Sequence, residues 1–298
     1  VSGGGGQDRR NAHLARGEEA SGGDDTVTLE FAKMSGAGND FIVIDDRANA
    51  LGEDARELAK QLCRRRISIG ADGLILIVPS TRCDFRMRYL NADGSEADMC
   101  GNGGRCAARF AFEHGIGGRD LTFESRSGMH KASIVDDENV RLSMADPRAI
   151  IPDFEVSVLG QRLRVHRVNT GVPHAVLEVD DLTAVEVVEL GRAIREHRAF
   201  MPEGTNANFV KVLGDNALDL RTYERGVEDE TLACGTGAVA AAVTMAAAGK
   251  VRPPVTVTTA GGWDLDIGFF MSDIGFSGVT LTGDARTIYE GQIEQSGD

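Results

Sequence analysis

Two stretches decide the reading of this chain: Tyr89–Gly103, YLNADGSEADMCGNG, and Tyr223–Gly237, YERGVEDETLACGTG, which lie 134 residues apart. Each carries a Tyr eleven residues before a Cys and a Glu four residues before it, Glu96 and Glu230. Each continues as Cys-Gly-x-Gly, and five positions match without a gap. Self-similarity at a fixed offset is the mark of an internal duplication. It predicts two similar lobes, with Cys100 and Cys234 at equivalent places that could face each other across the lobe interface.

The local chemistry favours that placement. Gly101–His114 and Ala238–Ala248 read as helices, so both cysteines sit at helix starts. A helix start offers unpaired N–H groups and the positive end of the helix dipole, which favour thiolate over thiol. The same N–H groups can hold a carboxylate, and the flanking glycines let a ligand approach closely. One such cysteine suggests a nucleophile or a redox centre. Two opposed cysteines suit inversion at a carbon centre, where one face loses a proton and the other gains one. A developing negative charge held between two helix starts would be stabilised from both sides. Taken singly, either cysteine could be structural, because cysteine is often buried. Cys106 reads as core, and Cys63 and Cys83 as core or incidental.

Bulk properties narrow the field. The 298 residues allow one large domain or two ordinary ones. A formal charge of −14 argues against a nucleic-acid surface. Five lysines against 27 arginines would suit a salt-rich cytoplasm, although codon bias also lowers lysine. No run of 18 apolar residues occurs, which excludes a spanning helix. Residues 1–27 are rich in Gly, Ser and charge and read as a disordered tail, with no signal peptide. Five cysteines without a secretion signal point to a reducing cytoplasm rather than a disulfide framework. No CxxC pair occurs, which weighs against zinc and against a thiol redox protein. Short strands and a few helices alternate from Thr28 onward, and Asp146-Pro147 breaks the pattern as a candidate boundary.

At these residues the chain resembles the diaminopimelate epimerase family. The matching pieces are Gly38–Phe41, Asn91–Glu96, Met99–Gly103, Gly171–His174, Asn206, Tyr223–Gly226 and Glu230–Gly237. Together they run from about Thr28 to Ile293. The resemblance implies an α+β fold of two pseudo-symmetric lobes, each a rolled mixed β-sheet around a central helix, with the active site in the cleft between them. Residues 28–145 with 285–298 would form the lobe carrying Cys100, and 146–284 the lobe carrying Cys234. It implies interconversion of LL- and meso-diaminopimelate in lysine and peptidoglycan synthesis, without metal or organic cofactor, by a cytoplasmic homodimer. Carried over by position, Cys100 and Cys234 are the two bases. Gly101-Asn102 and Gly235-Thr236 hold the reacting carboxylate. Asn39, Asn91 and Asn206 bind substrate through their amides. Glu224 and Arg225 meet the reacting ammonium region and the distal end, where a guanidinium grips a carboxylate with two bonds. His174 is a supporting histidine, or else an ordinary loop residue.

Two departures touch the pocket. Val172 stands where many family members have Asn, with Asn169 as a candidate replacement, and Gly73 stands where some carry Gln. The same two-cysteine chemistry could serve another amino acid, and a thiol redox role remains the reading from a different class.

Overall fold

The computed structural model describes residues 26–296, with side chains for 28–294. The first half runs β1 (Thr26–Gly36), β2 (Asn39–Asp45), α1 (Ala55–Leu62), β3 (Gly73–Val78), β4 (Phe85–Asn91), β5 (Glu96–Ala97) and α2 (Gly101–Glu113). It continues with β6 (Asp120–Ser125), β7 (Gly128–Ile134) and β8 (Asn139–Ser143). After β9 (Arg148–Val158) the same order returns as β10 (Gln161–Asn169), β11 (Pro173–Glu178), α3 (Val187–Arg195), β12 (Asn206–Gly214), β13 (Ala217–Glu224), β14 (Asp229–Thr231) and α4 (Gly235–Ala247). Then come β15 (Val255–Thr259), β16 (Asp264–Ser272), β17 (Gly275–Asp284) and β18 (Arg286–Ser296). The first strand begins at Thr26, inside the stretch expected to be a tail, and residues 1–25 lie outside the described residues.

The duplication extends to strand pairing. β2 and β3 pair in parallel, and so do β11 and β12. β4 pairs in parallel with β6 across the helix crossing, as β13 does with β15. Hairpins β6–β7 and β15–β16 follow in each half. α2 and α4 have equal lengths and the same 134-residue offset as the motif. β18 returns to pair antiparallel with β1, while β9 takes the equivalent place beside β10. β17 and β8 pair antiparallel and join the two halves into one continuous sheet.

Each half wraps its sheet around its own helix. α4 is apolar on every side, and Gly237–Ala246 are all buried against Val210, Leu220, Val257, Leu265 and Leu281. A helix that is apolar all round belongs in a core rather than on a surface. α2 packs into a second cluster built from Met34, Phe41, Ile75, Phe85, Phe123 and Leu142. It buries two arginines that α4 lacks, Arg105 and Arg109. β3 reads GLILIV and is buried throughout, the run expected of a strand covered on both faces. Its outer face meets Ala55, Leu58 and Leu62 of α1.

The duplicated glutamates do structural work. Glu96 accepts from Arg88 Nε at 3.2 Å, and Glu230 accepts from Arg221 Nε at 2.7 Å. Each pair ties the short strand before a cysteine to the long strand preceding it. The kept Glu therefore anchors the approach to the helix rather than the reaction.

Candidate active site

Cys100 and Cys234 occupy the cap positions of α2 and α4 in nearly the same backbone conformation, φ −128°, ψ 122° and φ −127°, ψ 106°. Their carbonyls accept the first helical bonds, from Gly104 N at 2.8 Å and Ala238 N at 2.9 Å. The extended cap turns each side chain back over the first helical turn. The N–H groups of Asn102 and Gly103 draw the Cys100 pKa down without closing into a capping hydrogen bond. Thr236 Oγ1 lies 3.5 Å from Cys234 Sγ, and the Gly237 N–H acts on it in the same sense.

Burial outweighs these donors. It pushes the Cys100 thiol up and raises Cys234 to about 12, with the Glu224 carboxylate adding to the rise in both. This corrects the expectation that the helix starts would leave the thiols easier to ionise than a free cysteine. A thiolate out of water loses more than a few N–H dipoles return. Glu224 is itself raised by burial, partly offset by Thr231, which donates to Oε2 at 3.0 Å, and by Cys234. Cys100 adds to the rise at Cys234, and Glu224 acts on both sulfurs.

On the Cys100 side the amides are linked. Asn102 Nδ2 donates to Asn39 Oδ1 at 2.8 Å, and Asn39 Nδ2 donates to Asp72 Oδ2 at 2.8 Å. Asp72 also receives Arg65 Nη2 at 2.8 Å and the Asp40 N–H at 3.2 Å. Asn91 stands apart from this set: its Nδ2 donates to Ser95 Oγ at 2.9 Å within the β4–β5 turn.

On the Cys234 side, Asn206 Oδ1 accepts the Arg225 N–H at 2.8 Å, and Arg225 Nη1 donates to Glu203 O at 2.7 Å. His174 is 1% exposed. Asn208, two residues along β12 and so on the same face as Asn206, holds it. Asn208 Nδ2 donates to Ala175 O at 3.1 Å and to His174 Nδ1 at 3.0 Å, while its Oδ1 accepts from Thr222 Oγ1 at 3.0 Å. The Ala175 carbonyl can only accept, which fixes the amide orientation and leaves the histidine proton on Nε2. A Cβ on Gly237 would stand 2.5 Å from Asn208 Oδ1, so this amide lies directly behind the Cys234 loop. The sequence reading missed Asn208 and Asp72. The alternation Asn206-Ala207-Asn208 was the available signal for the first; nothing local marks the second.

Burial lowers the His174 pKa to about 3. The unfolded imidazole binds a proton near pH 6.5 and the folded one does not. The stability this contributes is complete above about 6.5 and is lost as pH falls towards 3. Between pH 7 and pH 5 the loss from this residue comes to about 2 kcal/mol. Urea unfolding of wild type and His174→Gln at both pH values checks this: the variant should lose less by that amount, and equal losses would refute it.

The two departures have different structural meanings. A Cβ on Gly73 would stand 2.5 Å from Tyr89 Cε2 and 2.6 Å from Leu90 O. The Tyr89 ring therefore occupies the space that a side chain at 73 would need. Gly73→Ala is expected to destabilise the protein by about 1–3 kcal/mol through overpacking, read as a lower urea midpoint. A midpoint matching wild type would show that Tyr89 yields freely. Asn169 Oδ1 is used within its own turn, accepting from Gly171 N at 2.9 Å. Only its amide nitrogen remains for a role in place of Val172. Among the described residues, no three His, Cys, Asp or Glu side chains cluster as a metal site, and no helix is long and apolar enough to cross a membrane.

Comparison with known proteins agrees with this architecture. The sequence model described as "Diaminopimelate epimerase" matches residues 31–150 and 166–283. The diaminopimelate epimerase of Aquifex aeolicus is 42% identical over 277 residues, covering 90% of this chain and 98% of that protein. That of Chlorobaculum tepidum is 45% identical over 265 residues, covering 87% and 99%. Among solved structures, a Bacillus anthracis phenazine biosynthesis protein of the PhzF family superposes with a TM-score of 0.68 at 16% identity, covering 89% of this chain and 99% of that one. A hydroxyproline epimerase from Agrobacterium vitis gives 0.64 at 18%, covering 90% and 92%. At those identities the likeness is one of fold. With identity above 40% over nearly the full length of both relatives, this chain belongs to the diaminopimelate epimerase family.

Proposed function

We propose that this protein is an isomerase that interconverts LL-2,6-diaminopimelate and meso-diaminopimelate, serving lysine and peptidoglycan synthesis by two-base proton transfer. The observation that carries the reading is the pair of cysteines, each at the N-cap position of one of two equivalent central helices, with Glu224 acting on both. In this mechanism one cysteine is a thiolate and the other a thiol. The thiolate takes the Cα proton from one face, and the thiol gives a proton to the opposite face. The reverse reaction exchanges the roles. The first-turn N–H groups at Gly101-Asn102 and Gly235-Thr236 receive the substrate's α-carboxylate, where negative charge grows as the proton leaves. Glu224 meets the α-ammonium. Asn39, Asn91, Asn206 and Arg225 receive the distal end, and His174 supports the pocket as a neutral ring.

The high thiol pKa values fit a closed, dry cleft in which a thiolate is a strong base. Residues 28–145 with 285–298 would act as one lobe and 146–284 as the other, a division supported by the return of β18 to β1. The same reading places the enzyme in the cytoplasm as a homodimer needing no cofactor.

The test is incubation of reduced enzyme with LL-diaminopimelate in heavy water, following Cα deuteration by NMR. The expected result is a meso product deuterated at the inverted carbon. Absence of both exchange and meso product would overturn the assignment.

A further inference from the structure

The two halves share their strand pairing but differ inside their central helices. At the positions 134 residues beyond Arg105 and Arg109 of α2, helix α4 carries Val239 and Val243, both fully buried. Arg109 is spent on backbone: its guanidinium donates to the carbonyls of Ala285, Asp136 and Asn139. Arg105 differs. It is 0% exposed, yet it makes only two hydrogen bonds, Nε to Asp284 O at 3.2 Å and Nη2 to Asn102 Oδ1 at 2.9 Å. Among the described residues its Nη1 has no hydrogen-bond partner, and Asp284 Oδ2, which also makes no hydrogen bond, meets only Arg286 Nε as an ion pair at 3.4 Å. A buried, under-bonded guanidinium costs stability. It stands one turn behind Cys100, while an apolar side chain stands behind Cys234.

We propose that Arg105 is a positioning residue that breaks the symmetry of the two-cysteine site, orienting the Asn102–Asn39 amide chain and placing the resting negative charge on Cys100 rather than on Cys234. The inference rests on the two-base reading above.

The geometry gives the orientation directly. Arginine can only donate, so Asn102 must turn Oδ1 towards it and Nδ2 towards Asn39. Asn39 must then turn Nδ2 towards Asp72, whose carboxylate accepts. The chain of bonds runs from a buried cation to an anion with a single polarity. Each amide keeps one N–H free, and both therefore present donors, which suits a carboxylate ligand. The Cys234 side has no equivalent chain, because Asn206 Oδ1 is taken by the Arg225 backbone and Asn208 by His174.

Cys100 meets Arg105 and Cys106 from its own helix and Glu224 from β13, and it acts in turn on Cys234 of α4 and Tyr89 of β4. Arg105 itself faces the Asp284 carboxylate of β17, which offsets part of its charge. After desolvation, the foremost influence on Cys234 is the Glu224 carboxylate, whereas on Cys100 the two backbone donors come first and Arg105 opposes Glu224. With one thiolate to place, the side holding the cation takes it.

The experiment is alkylation of the intact, reduced enzyme by iodoacetamide across a pH series, with Cys100 and Cys234 peptides read separately by mass spectrometry. The pH midpoint, not the absolute rate, is the readout, because the two sulfurs differ in exposure. In wild type the Cys100 midpoint should lie below that of Cys234. In Arg105→Met the Cys100 midpoint should rise by about one pH unit, a tenfold change in the ionisation constant, while Cys234 stays or falls. Arg105→Lys, which restores charge without the fork, should lie between. A Cys234 midpoint below that of Cys100 in wild type would overturn the proposal even if Arg105→Met fails to fold. So would a folded Arg105→Met with an unchanged Cys100 profile. If the single cysteine variants keep normal turnover, the epimerase mechanism falls instead, and the alkylation order still judges Arg105.

Discussion

Cys100→Ala and Cys234→Ala should each abolish epimerisation, with turnover falling by about 10³-fold or more while the fold survives. A positioned acid or base contributes about 10²–10⁴-fold to a proton transfer. Here the loss falls at the severe end, because the remaining sulfur serves only one face of the carbon. With one base gone, a proton can still leave one side, but nothing returns one to the other. Each variant in heavy water should therefore show little or no meso product, and any residual exchange should retain configuration. Removing a sulfur from a helix cap takes away no capping hydrogen bond, since neither side chain caps its helix, and at Cys234 only the long contact to Thr236 Oγ1 and the bond to Glu224 are lost. Thermal unfolding should move by only a few degrees. Near-normal turnover in either variant would refute the two-base mechanism.

The parts of this design that sequence made visible are those written in repeated or local patterns. The 134-residue offset exposed both cysteines and predicted that each opens a helix, as α2 and α4 show; the second helix begins at Gly235, ahead of the Ala238 expected from sequence. The Ala-rich composition of α4 goes with its burial. What sequence did not expose depends on contacts across the chain. The rise in both thiol pKa values follows from burial of the helix starts by the surrounding strands, which no local spacing encodes. Asp72 enters only because β2 and β3 lie in parallel register, bringing it to Asn39. Gly73 read as a missing pocket side chain, whereas its place is filled by Tyr89 from the neighbouring strand. Nothing in the sequence marks Arg105, and only its complete burial with an unbonded Nη1 sets it apart.

Glu224→Gln separates the electrostatics of the empty site from those of catalysis, because its two effects have opposite signs. Burial raises the Glu224 carboxyl, and its charge in turn raises both cysteines. Gln keeps the size and can still accept from Thr231, as Oε2 does now at 3.0 Å. It removes the negative charge that opposes thiolate formation. In the free enzyme both cysteines should then ionise at lower pH, and iodoacetamide should alkylate them faster at neutral pH. Cys234 should change most, because Glu224 stands first after burial among the causes of its shift. With substrate the same change should be harmful. The α-ammonium loses its carboxylate partner, and a weaker thiolate base faces the Cα proton. Turnover should fall by about 10²-fold or more, the scale expected for losing a charged group that acts in the transition state. A variant whose thiols become more reactive while its epimerisation collapses would show that Glu224 holds the bases in check until an ammonium arrives to balance it. Unchanged or raised midpoints for both thiols would remove Glu224 from that role and leave burial alone to explain their weak acidity.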